Sequence, residues 1–274
     1  MNEKNKYGNY LILNAVMSNN VEIVKLLLEY ADKNNITLEL NEKNKNGNYP
    51  LSNAIYNNNI EIVELLIAYA DKNDIILELD KRDKDGNTPL LNSIKINNIE
   101  IVKLLMKYAD KNNIILKLNE KNSDGNYSLS EAIDKNNNEI VKLYIEYANK
   151  NHIILKLIEK DKFGRYPILG TIFNIEIVKL LIEYADKNSI ILELNEKDRF
   201  GYSPFFNSIK IENIEVIKLL MEYANKNFII LDLNEKGKFG NYPILESIYN
   251  IEVIKLLMEY ADKNGIILEI NEKK

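Results

Sequence analysis

One glycine recurs at a nearly fixed interval along the whole chain of 274 residues. Successive members lie 39, 39, 39, 39, 37 and 39 residues apart, and they are Gly8, Gly47, Gly86, Gly125, Gly164, Gly201 and Gly240. A constant period in this range is typical of stacked repeats, in which each unit buries its apolar face only against its neighbours. The period therefore predicts a single domain over 1–274, with units at 2–40, 41–79, 80–118, 119–157, 158–194, 195–233 and 234–274.

The second unit shows what each repeat contains. Pro50 opens a short helix of about two turns that runs to Tyr56, because proline is tolerated in the first helical turn. The asparagines at 57–59 interrupt it, and a second helix begins near Ile60 with apolar residues on two faces, as a helix between two neighbours requires. The β-branched start of 75–79 then indicates an extended segment.

The string Gly86-Asn87-Thr88-Pro89-Leu90, followed by Ile99-Glu100-Ile101-Val102-Lys103-Leu104-Leu105, resembles the ankyrin repeat. The resemblance implies an all-α repeat solenoid of seven helix-turn-helix units with extended finger or hairpin loops. It also implies a non-enzymatic scaffold that binds a partner protein or peptide on a concave face of finger tips and first helices. Two departures stand out. Leu91 occupies the family's histidine position, and about six extra residues predict a second helix that continues to Lys111-Asn112.

The chain lacks the residues that most catalytic and metal sites need. There is no cysteine, and the single histidine, His152, falls in the slot that closes the second helix. A Cys–His pair or a multi-histidine metal site is therefore excluded, and we expect no catalytic residue, no metal site and no cofactor. A glutamate recurs at the start of each second helix, where it faces a positive helix end and indicates helix stabilisation rather than acid–base chemistry.

Seven tyrosines recur late in the second helix, at Tyr30, Tyr69, Tyr108, Tyr147, Tyr184, Tyr223 and Tyr260. Such a column either packs one repeat against the next or offers a binding stripe. Its regularity favours packing.

Positions that vary while the frame stays fixed are the candidates for partner binding. Aromatic residues concentrate at these positions in the last three units, at Phe163, Phe173, Phe200, Tyr202, Phe239 and Tyr249. Aromatic side chains at interface centres often contribute about 2 kcal/mol or more each to binding. They either anchor a partner or pad the fingers against each other, and the sequence leaves both open.

Basic residues form a second candidate feature of the fingers. Lys160, Lys197 and Lys236 occupy one finger position, and Arg165 lies just after a tip glycine. They predict an edge that favours an acidic partner. The alternative is a solvated edge that offsets the neighbouring glutamates and discourages strand pairing.

Three further expectations complete the sequence-based prediction. Apolar residues in the first and last units suggest end-to-end self-association or a segment of a longer array. The net charge of −5 disfavours nucleic-acid binding through the finger lysines. No apolar signal region and no apolar run of about 18 residues are visible, so we expect a cytoplasmic or otherwise intracellular protein without membrane attachment.

Overall fold

The computed structural model describes residues 1–161 and 163–269. The last residues of the predicted final unit, 270–274, lie outside this part. Fourteen α-helices and no β-strand occur among the described residues. Residue contacts divide the chain into two compact units, Met1–Ile153 and Ile154–Lys274. The single domain expected for 1–274 therefore stays a prediction.

Short and long helices alternate in the first unit. They are α1 (Leu11–Met17), α2 (Val21–Lys33), α3 (Pro50–Tyr56), α4 (Ile60–Lys72), α5 (Pro89–Lys95), α6 (Ile99–Lys111), α7 (Ser128–Asp134) and α8 (Asn138–Lys150). Each short helix packs against the next short one, and each long helix against the next long one. The helix boundaries predicted from the second repeat are confirmed, including the longer second helix that ends at Lys111.

The second unit repeats this arrangement with two shortened members. Its helices are α9 (Pro167–Gly170), α10 (Ile175–Lys187), α11 (Pro204–Lys210), α12 (Ile214–Lys226), α13 (Pro243–Glu246) and α14 (Ile251–Asn264). The fifth and seventh repeats are two residues shorter than the others between their short and long helices, which by sequence alone would shorten the turn. The structure shows that α9 and α13 themselves lack the last turn of the other short helices, so Phe173 and Tyr249 lie in the turns beyond them.

Asparagine side chains start the long helices, and a left-handed residue follows their ends. Asn59 Oδ1 accepts a hydrogen bond of 3.0 Å from Ile62 N, which satisfies one of the free N–H groups of the first turn. At the C-terminal end of α8, His152 takes a left-handed conformation with φ 55°. This agrees with the capping position predicted for it.

The extended arms that follow the long helices are held by side chains of the neighbouring repeats. The Tyr108 hydroxyl donates to Ile75 O at 3.2 Å and accepts from Leu77 N at 3.0 Å. The Asn41 amide donates to Ile76 O at 2.8 Å and accepts from Glu78 N at 3.0 Å. The tyrosine column is therefore a packing and hydrogen-bonding element between repeats, as its regularity predicts.

Removal of one phenol tests this arrangement. In the Tyr108→Phe variant the buried Leu77 N–H loses its partner, and such a loss costs about 1–3 kcal/mol. We expect the midpoint of urea unfolding to fall accordingly. Tyr30→Phe is the matched control, because Tyr30 occupies the same helical position but is exposed. An equal loss in both variants would contradict the assignment.

Candidate functional site

In the part of the chain that the structure describes, six of the seven finger tips are tight turns closed by an Asn or Asp side chain of the same finger, whereas Gly237 stands at that position in the last finger. In the third finger Asp83 Oδ1 accepts from the backbone N–H groups of Asp85 and Asn87, both at 2.9 Å. Gly86 has a φ of 77°, and an added Cβ there would lie 2.8 Å from Ser123 N of the next finger. Glycine is required at this tip by both its backbone conformation and the close approach of its neighbour.

Neighbouring fingers are also joined by backbone hydrogen bonds. Ser123 N donates to Asp85 O at 3.1 Å in the first unit, and Arg199 N donates to Phe163 O at 3.3 Å in the second. The residues beside each tip glycine therefore project from a preorganised frame, which lowers the entropy lost when a partner binds.

A polar cleft of about 770 Å³ lies between the fingers and the short helices of the first unit. Its lining includes Asn46, Tyr56, Asp83, Asp85 and Asn92. No residue of this cleft is among the predicted anchors, which all fall in the second unit. The signal that could have found it is the variation of the tip and helix-end positions, where Asn46, Asp85 and Tyr56 occur.

Four of the six predicted aromatic anchors in the second unit are exposed. Phe173, Phe200, Phe239 and Tyr249 have exposed fractions between 49% and 95%. Their rings are therefore available to a partner.

The other two aromatic residues pack within the fingers. Phe163 is half-buried, with the guanidinium groups of Arg165 and Arg199 5.0 and 5.1 Å from its ring centre. Tyr202 packs on Phe206 with 5.6 Å between the ring centres. Lys210 Nζ lies 4.1 Å from the centre of the Tyr202 ring. Phe163 and Tyr202 therefore match the alternative of padding within the fingers, and partner anchoring by the four exposed side chains stays a prediction.

The basic residues of the predicted site in the second unit lie beside acidic or carbonyl groups. Lys160 Nζ lies 3.2 Å from Glu196, and Arg165 Nη2 lies 2.7 Å from Asp161. Lys197 Nζ lies 3.3 Å from Glu235 and donates to Lys236 O at 3.0 Å; the Lys236 side chain itself is exposed. These contacts match the alternative of an edge that offsets its own glutamates.

Glu235 is a buried carboxylate at the edge of this surface. Its Oε2 accepts a 2.6 Å hydrogen bond from Ser203 Oγ. Its Oε1 lies 3.3 Å from Lys197 Nζ but has no well-aligned hydrogen-bond donor among the described residues. Burial raises the pKa of Glu235, against the opposing effects of the Ser203 hydroxyl and the Lys197 ammonium.

The burial of Glu235 follows from small residues at two positions. In five of the other six repeats a tyrosine fills the position of Ser203; the Tyr10 hydroxyl, for example, donates to Glu42 O at 2.8 Å. Serine leaves that space open, and the Glu235 side chain occupies it. Gly237 is the second small residue, at a position where the other fingers carry Asn or Asp. An added Cβ there would lie 2.8 Å from the ring of Phe206, so the space beside Glu235 has no room for a side chain at position 237.

Comparison with known proteins identifies the architecture. A family model described as ankyrin repeats (3 copies) matches residues 1–76 and 74–154, which together span more than half of the chain. The chain belongs to the ankyrin repeat family. Ankyrin repeat domains are generally modules of protein–protein interaction. No protein of curated function matches the chain in sequence.

Solved ankyrin repeat domains share the fold. The ankyrin repeat domain of Bcl-3, a member of the IkappaB protein family, is 19% identical with a TM-score of 0.61, and the match covers 92% of this chain and 100% of that one. The human ASB11 ankyrin repeat domain is 15% identical with a TM-score of 0.60, covering 92% and 98%. The predicted all-α repeat solenoid is confirmed, while the count of seven repeats stays a prediction.

Two other features of the described residues bear on the sequence-based expectations. No helix in that part of the chain is both long and apolar enough to cross a membrane. Across the same residues no three His, Cys, Asp or Glu side chains are grouped in a way that could hold a metal ion.

The raised pKa of Glu235 predicts how stability depends on pH. The folded state favours the protonated form, so this contribution is fully present below the ordinary pKa of 4.5 and is lost as pH rises through the raised value. Glu235→Gln keeps the neutral shape. We expect its melting temperature to exceed that of the unmodified chain increasingly from pH 4.5 upward.

The control for this experiment is Glu196→Gln, at the same finger position but on the surface. It should show no such widening difference from the unmodified protein. A constant offset between Glu235→Gln and the unmodified chain at every pH would contradict the assignment.

Proposed function

We propose that this ankyrin repeat chain binds a partner protein or peptide on the face formed by its finger tips and short helices. The exposed aromatic side chains Phe173, Phe200, Phe239 and Tyr249 act as the anchors. The observation that carries the proposal is their exposure. Phe200 and Phe239 lie on fingers whose backbone is already fixed by hydrogen bonds, and Phe173 and Tyr249 lie in the turns after the short helices. Phe163 and Tyr202 support this surface from within, since their rings are stacked against side chains of the same unit.

Charge has a smaller part in the proposed interaction. An acidic partner segment would compete with Glu196 for Lys160 and with Glu235 for Lys197. Exposed ion pairs are worth little in water, so exchanging one carboxylate for another gains little free energy. We therefore keep an acidic segment as a secondary feature of the partner. The same pairing weakens the case for nucleic acid, whose binding depends on many lysines free to contact phosphates.

The aromatic anchors can be tested at the finger tips. Partners captured from an extract on the immobilised chain would be identified, and their dissociation constants measured for Phe200→Ala and Phe239→Ala. A hot-spot loss of about 2 kcal/mol corresponds to roughly thirtyfold weaker binding. The matched control is Tyr7→Ala, the exposed aromatic at the same tip position in the first unit.

Unchanged affinity of every partner for both variants would remove these anchors from the interface. Loss of affinity with Tyr7→Ala alone would move the interface to the first unit.

A second candidate function is end-to-end self-association. In the first helix pair Ile23, Leu26 and Tyr30 are exposed, whereas Ile62 and Tyr69, the counterparts of Ile23 and Tyr30, are buried. In the last pair Leu245 and Ile248 are exposed, whereas the equivalent side chains of the other short helices are buried. Between interior repeats, side chains at these positions pack against the next helix pair. The exposed face of the first pair in one copy could therefore pack against the exposed face of the last pair in another copy.

Sedimentation equilibrium over a concentration series tests this second function. We expect the apparent mass of the unmodified chain to rise with concentration and that of Leu26→Glu to stay monomeric. Ile76→Glu controls for an exposed apolar residue away from the end faces. A monomer at every concentration of the unmodified chain would exclude stacking.

A further inference from the structure

A second apolar surface follows the three extended arms after α10, α12 and α14 in the second unit. Each arm carries an exposed isoleucine, and Phe228 precedes one arm in the left-handed position after α12. We call this set the arm stripe; its members, with exposed fractions between 52% and 93%, are Ile191, Ile230, Ile267 and Phe228. None of them belongs to the finger-tip face.

The arms lie side by side in one register. The Asn195 amide donates to Ile230 O at 2.7 Å, and the Asn234 amide donates to Ile267 O at 2.8 Å. The same asparagines accept from Asp232 N and Glu269 N. Because equivalent atoms are bonded at each step, Ile230 and Ile267 occupy equivalent places in adjacent arms.

An acidic column accompanies the arm stripe. Glu193, Asp232 and Glu269 each follow a stripe isoleucine by two residues, and alternate residues of an extended segment lie on the same side. Among the described residues these three carboxylates form no ion pair, and the nearby Lys226 is held by Asp186 at 2.5 Å. The surface therefore combines apolar contact area with uncompensated negative charge.

The arm backbone offers little to a partner, because neighbouring side chains already satisfy it. Tyr223 OH donates to Ile190 O at 3.1 Å and accepts from Leu192 N at 3.1 Å. Ile230 O and Asp232 N are bonded to Asn195. An added β-strand would find these groups occupied, so a partner must bind through the exposed side chains.

We propose that the arm stripe docks an amphipathic helix of a partner protein that carries apolar residues at every seventh position and lysine or arginine beside them. Stacked helices are spaced by about 8–10 Å, and the arms follow that spacing. Seven residues of an α-helix rise about 10.5 Å, so one apolar residue per two turns meets one isoleucine per arm. Basic residues one turn away then face the acidic column.

The first unit has the same isoleucines without the same charge. Glu78, which follows Ile76, is paired with Lys81 at 3.0 Å. Ile115 is followed by Lys117, which lies 3.1 Å from Asp80. The acidic column therefore selects the second unit for a basic helix, and the first unit supplies internal controls.

Phe228 gives an independent reason to expect contact here. Its φ of 58° lies in the left-handed region, which bulky residues rarely occupy, and its ring is exposed. Asn35 and Asn113 hold the same position in the first unit and suit that conformation. An aromatic ring that is 93% exposed beside the stripe is suited to cover a bound helix.

The test uses a designed helical peptide as the probe. Its 21 residues are alanine-rich, with leucine at every seventh position and lysines one turn away, and a second probe carries glutamate in place of lysine. Fluorescence anisotropy measures binding to the full chain. We expect the lysine probe to bind more tightly than the glutamate probe, and Ile230→Ser or Phe228→Asn to weaken it about tenfold.

The controls distinguish docking from unfolding and from general stickiness. Phe228→Asn introduces the residue that other repeats use there, so it should not impair folding, and circular dichroism checks this. Ile115→Ser removes an equivalent isoleucine from the first unit and should leave binding unchanged. Asp232→Lys should weaken the lysine probe and improve the glutamate probe. Equal binding of both probes, no binding of the lysine probe, or an equal effect of Ile115→Ser and Ile230→Ser would each overturn the proposal.

Discussion

The hydrogen bonds that tyrosines such as Tyr108 and asparagines such as Asn41 make to the arm of a neighbouring repeat are the interaction on which the structure depends. A single phenol, such as that of Tyr108, satisfies a carbonyl and an N–H of a neighbouring arm. Asn41 satisfies two further groups of the next arm. Buried backbone groups must be paired, and here the partners come from another repeat rather than from a β-ladder. An arm therefore has its observed conformation only where a neighbour stands beside it.

That dependence separates the residues that build the fold from those free to vary. Backbone turns, caps and the Tyr and Asn columns recur because each serves the junction between repeats. The side chain just before a tip glycine can vary, because Asp83 and Gly86 fix the turn whatever residue stands at position 85. Asn87, just after the glycine, is buried and accepts a 2.8 Å hydrogen bond from the Asn122 amide of the next finger, so it serves the junction. Variation before the tip glycine therefore changes the binding surface without changing its frame. This property suits a chain whose family generally mediates protein–protein interaction.

Local patterns predict most of the fold and only part of the candidate site. Helix boundaries, the break at the asparagines of 57–59 and the place of His152 depend on nearby sequence, and the repeats show the same local pattern several times. Glu235 could not be predicted as buried, because its place depends on the small side chain of Ser203, 32 residues earlier. Thr88 is also small, yet there Arg82 binds Glu120 at 2.5 Å and keeps it on the surface. Such outcomes depend on side chains that two neighbouring repeats bring together.

The arms show why the extra residues relative to the usual family repeat have consequences beyond a longer helix. Each added Ile-Ile-Leu segment buries its leucine and exposes one isoleucine, and buried leucines such as Leu192 and Leu231 account for its stabilising role. The exposed isoleucines and Phe228 add nothing to that packing. A bulky ring in a left-handed backbone raises the energy of the folded state, and the rest of the fold must offset that cost, in part through the hydrogen bond from Ile229 N to Ala224 O that closes the helix end. Since the exposed ring of Phe228 contributes nothing to packing in return, contact with another molecule is the role that we infer for it.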